Sequence, residues 1–277
     1  MEREATAMEW HGAHVVITGG SSGIGEAVAE QVGARGANLT LLARGAERLA
    51  AVAARLDARH PDARAVGLAC DVSDRNAVHE VLAAAVADRG PVDVLVCSAG
   101  ITLPGRFLEA DDDTFRSMIE VDYYGTLWPI RAVAPSMAER GAGSIVGIAS
   151  AAALVGVYGY SAYGAAKFAV RGLLESLRTE LVPHGVHVGC AFPPDVDTPM
   201  LAAEDAHKPP ETKAIAGSIA PLSAARVAEA VVRGIDRREA EIFADAQTRA
   251  LARTVATVPG AYRRLFDRRV AGVARSR

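Results

Sequence analysis

"HVVITGGSSGIGEAVAE", residues 14–30, is the stretch on which the fold turns. Five residues that read as a buried strand are followed by a glycine-rich turn and then by an Ala-rich helix. Gly19, Gly23 and Gly25 permit a tight turn, close approach of backbone N–H groups to a pyrophosphate, and close helix-on-strand packing. The helix N-terminus adds unsatisfied donors and a partial positive charge for the anion. Such a turn means little alone; strand before, helix after and a position near the start of the chain make it a dinucleotide signature. Gly19, Ser21, Ser22, Gly23 and Ile24 are its cofactor-lining candidates.

Outward from this turn the same rhythm repeats. Residues 37–43, 65–69, 92–97, 144–150 and 186–192 read as further buried strands, with 241–244 a weaker seventh. Helical segments lie between them near 24–34, 45–59, 74–88, 111–139, 161–182 and 223–237. The alternation predicts an α/β fold, a single Rossmann-type doubly wound parallel sheet of about seven strands with helices on both faces. Residues 193–221, rich in Pro and polar residues, are too long for an ordinary connection and read as a substrate lid. Residues 1–245 therefore form one catalytic domain that includes this lid. Residues 246–277 are a basic helical extension, split at Pro259-Gly260.

Composition excludes several classes. A formal charge of -3 argues against a general nucleic-acid binder, which needs a basic face for phosphates. The charge is uneven: eight Arg against one Asp from Ala246 onward leave the tail near +7 and the body near -10. Cys70, Cys97 and Cys190 have no metal-type spacing and read as buried structural thiols in a reducing compartment. Neither a secretory signal nor a long apolar run is seen, so a cytoplasmic protein is expected, with peripheral membrane contact open.

The end of the second strand reports which dinucleotide is held. NAD binding asks for a carboxylate there, to accept from the ribose 2'-hydroxyl; "LLARGAERL" supplies Arg44, which can pair with a 2'-phosphate. NADP(H) is favoured. Asp71, after the third strand, can accept from the adenine amino group or cap the helix that follows. Ser98, Ala99 and Gly100 end the fourth strand with small residues beside which a flat ring can pass.

In "GYSAYGAAKFAV", residues 159–170, Tyr163 stands one helical turn before Lys167, one of three lysines in the chain. Reduction of a ketone needs hydride at carbon and a proton for the oxygen. A phenol of pKa about 10 is a reluctant participant at neutral pH, and a neighbouring ammonium stabilises its phenolate and lowers that value. Ser150, at the end of the fifth strand, can hydrogen-bond the oxygen as charge develops.

Together, TGGSSGIG at 18–25, Asp71-Val72, Ala99-Gly100, Ser150 and Tyr163-x-x-x-Lys167 resemble the tyrosine-dependent short-chain dehydrogenase/reductase family. The resemblance covers residues 14 to about 245. It implies a nicotinamide cofactor held also by Val72, Lys167, Pro193, Val196 and Thr198, carbonyl–alcohol hydride transfer, and a homodimer or homotetramer. Asp122 stands where many members carry an Asn that binds a relay water, and Pro193-Pro194 replaces the usual Pro-Gly.

The loop "AFPPDVDTPMLAAEDAHKPPET", residues 191–212, resembles one group within the family, the 3-ketodihydrosphingosine reductases, which implies an NADPH-dependent reduction of a lipid-like ketone. Leu103, Phe107, Leu154, Val155, Val157, Met200 and Leu201 are candidates for an acyl-chain wall, and Asp195, Asp197 or Glu204 for an amine partner. The basic tail, with Leu251, Val255, Tyr262, Leu265 and Phe266, fits either an anionic bilayer or a subunit contact. Another hydrophobic ketone or alcohol, such as a steroid or 3-oxoacyl compound, and a non-catalytic NADPH-binding role are the alternatives.

Overall fold

Val15 and Ile17 of the first strand enter one apolar cluster and Val16 enters another, on the opposite face of the sheet. Burial on both faces is why this strand reads as a continuous apolar run without alternation. The computed structural model describes residues 8–216 and 220–275. Its strands are β1 (His14–Thr18), β2 (Asn38–Ala43), β3 (Ala65–Ala69), β4 (Val94–Cys97), β5 (Gly143–Ile148), β6 (Val186–Ala191), β7 (Val196–Asp197), β8 (Leu222–Ser223) and β9 (Glu241–Ile242). Seven of them form one parallel sheet in the order β3-β2-β1-β4-β5-β6-β9, and β7 pairs with β8 in a separate short ribbon.

The helices are α1 (Gly23–Gly33), α2 (Ala46–Arg59), α3 (Arg75–Arg89), α4 (Asp112–Met118), α5 (Gly125–Arg140), α6 (Ser161–Leu181), α7 (Pro199–Asp205), α8 (Pro210–Ala216), α9 (Ala224–Asp236), α10 (Ala246–Thr257) and α11 (Pro259–Arg275). One face of the sheet is covered by residues of α1, α2 and α9, such as Val28, Leu49 and Val231; the other by residues of α3, α5 and α6, such as Leu82, Met137 and Leu174. Strand order reverses between β1 and β4, both of which pair in parallel with their neighbours. In an open sheet of this kind the crevice at the carboxyl ends of those strands is the ligand site.

Two departures from the sequence-based expectation bear on function. The helix expected over 111–139 is broken by a wide, π-type turn at Ile119–Tyr124 between α4 and α5. That turn carries Asp122 into the interior, fully buried; such one-turn widenings concentrate at functional sites. The segment 193–221 is not a bare loop: it holds α7 and α8, pinned by Arg106 to Glu211 at 3.1 Å and by the Thr212 hydroxyl donating to the Tyr158 carbonyl at 2.8 Å. The tail forms α10 and α11, and α11 packs on α10 and on α8 of the lid. Tyr262 and Leu265, named as apolar tail residues, have side chains outside the described residues.

Cys70, Cys97 and Cys190 are buried and free, and burial pushes the Cys97 and Cys190 thiols up to about 12. Among the described residues no metal-type cluster is present and no helix is long and apolar enough to cross a membrane.

Candidate active site

A cleft of about 1000 Å³ runs along the carboxyl ends of β1, β2, β4, β5 and β6. At its floor Gly19 and Gly23 take positive φ, +68° and +57°, which glycine adopts without cost. A Cβ on Gly19 would lie 2.8 Å from the backbone of Ser98 and Ala99, and one on Gly25 would overlap the Gly19 carbonyl oxygen. The Thr18 hydroxyl accepts from the amides of Ser98 and Ala99, both at 3.1 Å, and so ties the end of β4 to this turn. Ser22 precedes α1 in an extended conformation and its side chain caps nothing. The hydroxyl and the α1 amides are thus available to an anion, and the cradle fits a dinucleotide pyrophosphate.

At the adenine end, Arg44 and Arg48 line the cleft beside Glu47. Arg44 is exposed and directly follows β2, as a 2'-phosphate partner requires. Asp71 lines the cleft with Val72, and its carboxylate accepts from the Ser73 amide at 3.0 Å and hydroxyl at 2.7 Å, which holds its pKa below the ordinary value. It does not cap α3: Asp74 does that, accepting from Asn76 and Ala77. Of the two roles open to Asp71, the cleft-facing one remains.

At the other end, Lys167 Nζ donates to the Ile148 carbonyl at 3.2 Å and sits 3.4 Å from Asp122 Oδ1 and 5.5 Å from the centre of the Tyr163 ring. Asp122 Oδ1 also accepts from the Ile101 amide at 3.1 Å, while Oδ2, buried, has no hydrogen-bond partner among the described residues. The Ser150 hydroxyl accepts from the Ala152 amide at 3.1 Å and is hydrogen-bonded to Tyr163, so β5 and α6 bring serine, tyrosine and lysine to one point. A Cβ on Gly100 would fall 2.6 Å from Asp122 Oδ1 and 3.3 Å from Lys167 Nζ, so only glycine spares this ion pair.

The electrostatics correct one expectation. Burial pushes the Tyr163 phenol above its ordinary value; Lys167 does pull it down, but Asp122 opposes Lys167, and the net direction is upward rather than downward. Burial opposes the Lys167 charge too, yet Asp122 and the phenol outweigh it and hold the ammonium protonated. Burial likewise raises Asp122, against the pull of Lys167 and the Ile101 amide.

Residues 13–209 match the short chain dehydrogenase family. The chain belongs to the short-chain dehydrogenase/reductase family. It is 41% identical over 229 residues to a 3-dehydrosphinganine reductase of Danio rerio, across 82% of this chain and 69% of that protein. A 3-ketodihydrosphingosine reductase of Dictyostelium discoideum is 34% identical over 99% of this chain and 86% of its own. Among solved structures, a short-chain dehydrogenase from Sphingobium yanoikuyae in complex with NADPH superposes with a TM-score of 0.77 at 27% identity, covering 92% of this chain and 95% of that one.

In this short-chain dehydrogenase/reductase every candidate catalytic and cofactor residue lines the one cleft: the glycine turn with Ser21, Ser22 and Ile24, then Arg44, Asp71, Val72, Ser98, Ala99, Gly100, Asp122, Ser150, Tyr163, Lys167, Pro193, Val196 and Thr198. The expected acyl wall divides. Val155, Val157, Met200 and Leu201 line the cleft, but Leu154 is buried in the core, and Leu103 and Phe107 are exposed outside it. Phe107 packs edge-on against Phe115. Asp195 and Glu204 face the cleft; Asp197 is not part of its wall and pairs with Ser223 in the β7–β8 ribbon.

Around Glu204, already a candidate from the sequence, the lid gathers Tyr160, Lys208 and Asp205, which the sequence did not assign to a site. Glu204, buried on α7, accepts from the Tyr160 hydroxyl at 2.8 Å and pairs with Lys208 at 2.8 Å. Lys208 also meets Asp205 at 2.8 Å and Asp195 at 3.6 Å, and the Tyr160 ring stands 5.8 Å from that of Tyr163. Leu251 and Phe266 of the tail also line the cleft. The i, i+4 spacing of Glu204 and Lys208 on α7's continuation was the one available signal for the lid pair.

Proposed function

We propose that the chain reduces 3-ketosphinganine to sphinganine with NADPH. The observation that carries this is the polarity of the cleft: cationic Arg44 and Arg48 at the dinucleotide end, acidic Asp195 and Glu204 at the end where Ser150, Tyr163 and Lys167 converge. A ketone bearing an ammonium on the adjacent carbon suits that acidic end. The names and extent of the relatives support the same substrate.

When bound, NADPH supplies the hydride. The remaining work belongs to the protein. Ser150, its oxygen occupied by the Ala152 amide, turns its O–H toward the substrate oxygen and Tyr163. Tyr163, kept protonated by burial, donates its proton as the oxygen becomes negative. Lys167 then stabilises the phenolate, and Asp122 keeps Lys167 charged and oriented while its buried, unpartnered Oδ2 offers the proton relay an acceptor. Arg44 and the glycine turn hold the phosphates.

The test is NADPH consumption with 3-ketosphinganine beside steroid, 3-oxoacyl and small ketones, in wild type and Tyr163→Phe. Preferential turnover of 3-ketosphinganine that is lost in the variant supports the reading; equal turnover of all ketones, or an undiminished variant, rejects it. The same reading includes a homo-oligomer pairing through α5 and α6, a cytoplasmic setting, and contact of the exposed Arg263, Arg264 and Arg268 with an anionic membrane surface. Sedimentation, and vesicle pelleting with and without residues 259–277, check those parts.

A further inference from the structure

A second cavity, of about 690 Å³, opens beside the active-site cleft. The two share Val157, Tyr160 and Phe266 in their walls, so they adjoin at the catalytic end, within a ring's width of Tyr163. The second cavity lies between the start of α6, where Ala165 and Phe168 face it, and α11, where Val270 and Ala271 do. Among its described lining residues Asp267 is the one charge. Phe168, 43% exposed, marks its outer end.

Size decides what the second space is for. Cavities of roughly 300–1000 Å³ enclose a single drug-sized ligand. The main cleft, at about 1000 Å³, must take the dinucleotide from Arg44 to Lys167 and the reacting headgroup besides. That leaves Val155, Val157, Met200 and Leu201 as apolar wall for the first methylenes of a long hydrocarbon chain, and the rest needs further space. Chain left in water forgoes about a 4-fold gain in binding for each methylene that an apolar wall would have covered.

We propose that this cavity receives the alkyl chain of the substrate, which leaves Tyr163 past Tyr160 and runs between α6 and α11. The proposal rests on the lipid-ketone reading above. It also gives the basic tail a second role, because α11, which packs on the lid helix α8, is a wall of the chain site, and Phe266 is the residue at which headgroup space passes into chain space. Chain-length selectivity then resides in the C-terminal extension and the first turns of α6, on side chains other than Ser150, Tyr163 and Lys167.

The experiment measures kcat/KM for 3-ketosphinganine and for a short-chain homologue with the same headgroup, in wild type, Ala271→Trp and Ala165→Trp. The two substitutions fill the cavity from opposite walls, so a folding failure in one leaves the other. Expected is a fall of about 10-fold or more in the long-to-short ratio in either variant, corresponding to loss of a few buried methylenes. In wild type, kcat/KM should also climb through a series of lengthening chains. A ratio unmoved in the folded variants, or a wild-type series that is flat beyond the shortest members, overturns the chain site while leaving the reductase reading intact. No NADPH-dependent turnover of any member overturns both.

Discussion

Replacement of Lys167 by Met offers the sharpest test of the catalytic geometry, because its effect has opposite consequences for the two directions of reaction. The ammonium lies 5.5 Å from the centre of the Tyr163 ring in a site where the lysine is only 5% exposed. At an effective dielectric constant of about 20, two unit charges at that separation interact by about 3 kcal/mol, or about 100-fold in the phenol–phenolate equilibrium. That is a ceiling. Asp122, 0% exposed, loses the partner that holds it charged, takes up a proton, and stops repelling the phenolate. The expected net loss of phenolate at fixed pH is therefore about 10- to 100-fold.

The sign follows from the direction found for Tyr163. Its value lies above the ordinary one, so the phenol is protonated through neutrality. Reduction, which needs the acid, should be flat with pH up to neutrality and fall only as pH rises through the phenol's value. Oxidation of sphinganine, which needs phenolate, should rise with pH across the same range. Lys167→Met pushes the phenol higher still. At neutral pH the variant, at saturating NADP+, should oxidise sphinganine about 10- to 100-fold more slowly than wild type. The alkaline fall of its reduction profile should move to higher pH. NADP+ affinity, measured separately by titration, removes any contribution from ribose binding. An oxidation rate within about 3-fold of wild type at saturating cofactor would refute the electrostatic role.

Other outcomes follow from the same geometry. Arg44→Asp should lower kcat/KM with NADPH by about 10- to 100-fold, the worth of a charge-assisted phosphate contact, and raise it with NADH; a variant that still prefers NADPH contradicts the 2'-phosphate assignment. Gly25→Ala forces a Cβ against the Gly19 carbonyl and should cost about 1–3 kcal/mol in urea unfolding together with dinucleotide affinity. The same change at exposed Gly172 in α6, where a Cβ meets nothing within 4 Å, should stabilise by about 0.5–1 kcal/mol. Glu204→Gln keeps the Tyr160 contact but removes a charge, so it should weaken kcat/KM for 3-ketosphinganine more than for the analogue lacking the amine; equal losses would assign Glu204 to lid structure alone.

Much of this was legible in residue order. Strand–glycine turn–helix spacing located the dinucleotide cradle, because backbone amides and a missing Cβ are local properties that sequence states directly. Tyr163 and Lys167 were legible for a related reason: four residues on one helix are one turn, whatever else the fold does. The break at 119–124 was not, since apolar spacing on either side is compatible with one continuous helix and the widening depends on Asp122 finding Lys167 across the interior. Nor was the sign of the Tyr163 shift. A lysine one turn away is visible in sequence, but the burial that outweighs it, and the carboxylate that opposes it from another helix, are tertiary facts. The acyl wall failed at Leu103, Phe107 and Leu154 because proximity to the catalytic strands does not tell which side of a loop a side chain takes.

The lid network sets the sign of the charge at the acidic end of the cleft. Lys208 is surrounded by Glu204, Asp205 and Asp195, yet a single ammonium balances only one carboxylate, so the cluster keeps a net negative charge. Those contacts outweigh the burial that opposes the Lys208 charge and push its pKa up. Lys208 itself does not line the cleft, whereas Asp195 and Glu204 do. The cation thus secures the lid from behind and leaves carboxylate facing the substrate. A dinucleotide phosphate is drawn to the arginines and repelled at this end; an ammonium substrate experiences the reverse. The lid is also joined to the Tyr160 hydroxyl through Glu204 and to the tail through α11. Headgroup charge, proton donor and chain wall are consequently carried by elements that contact one another, so substrate discrimination is a property of lid, α6 and tail together rather than of the glycine turn on which the family rests.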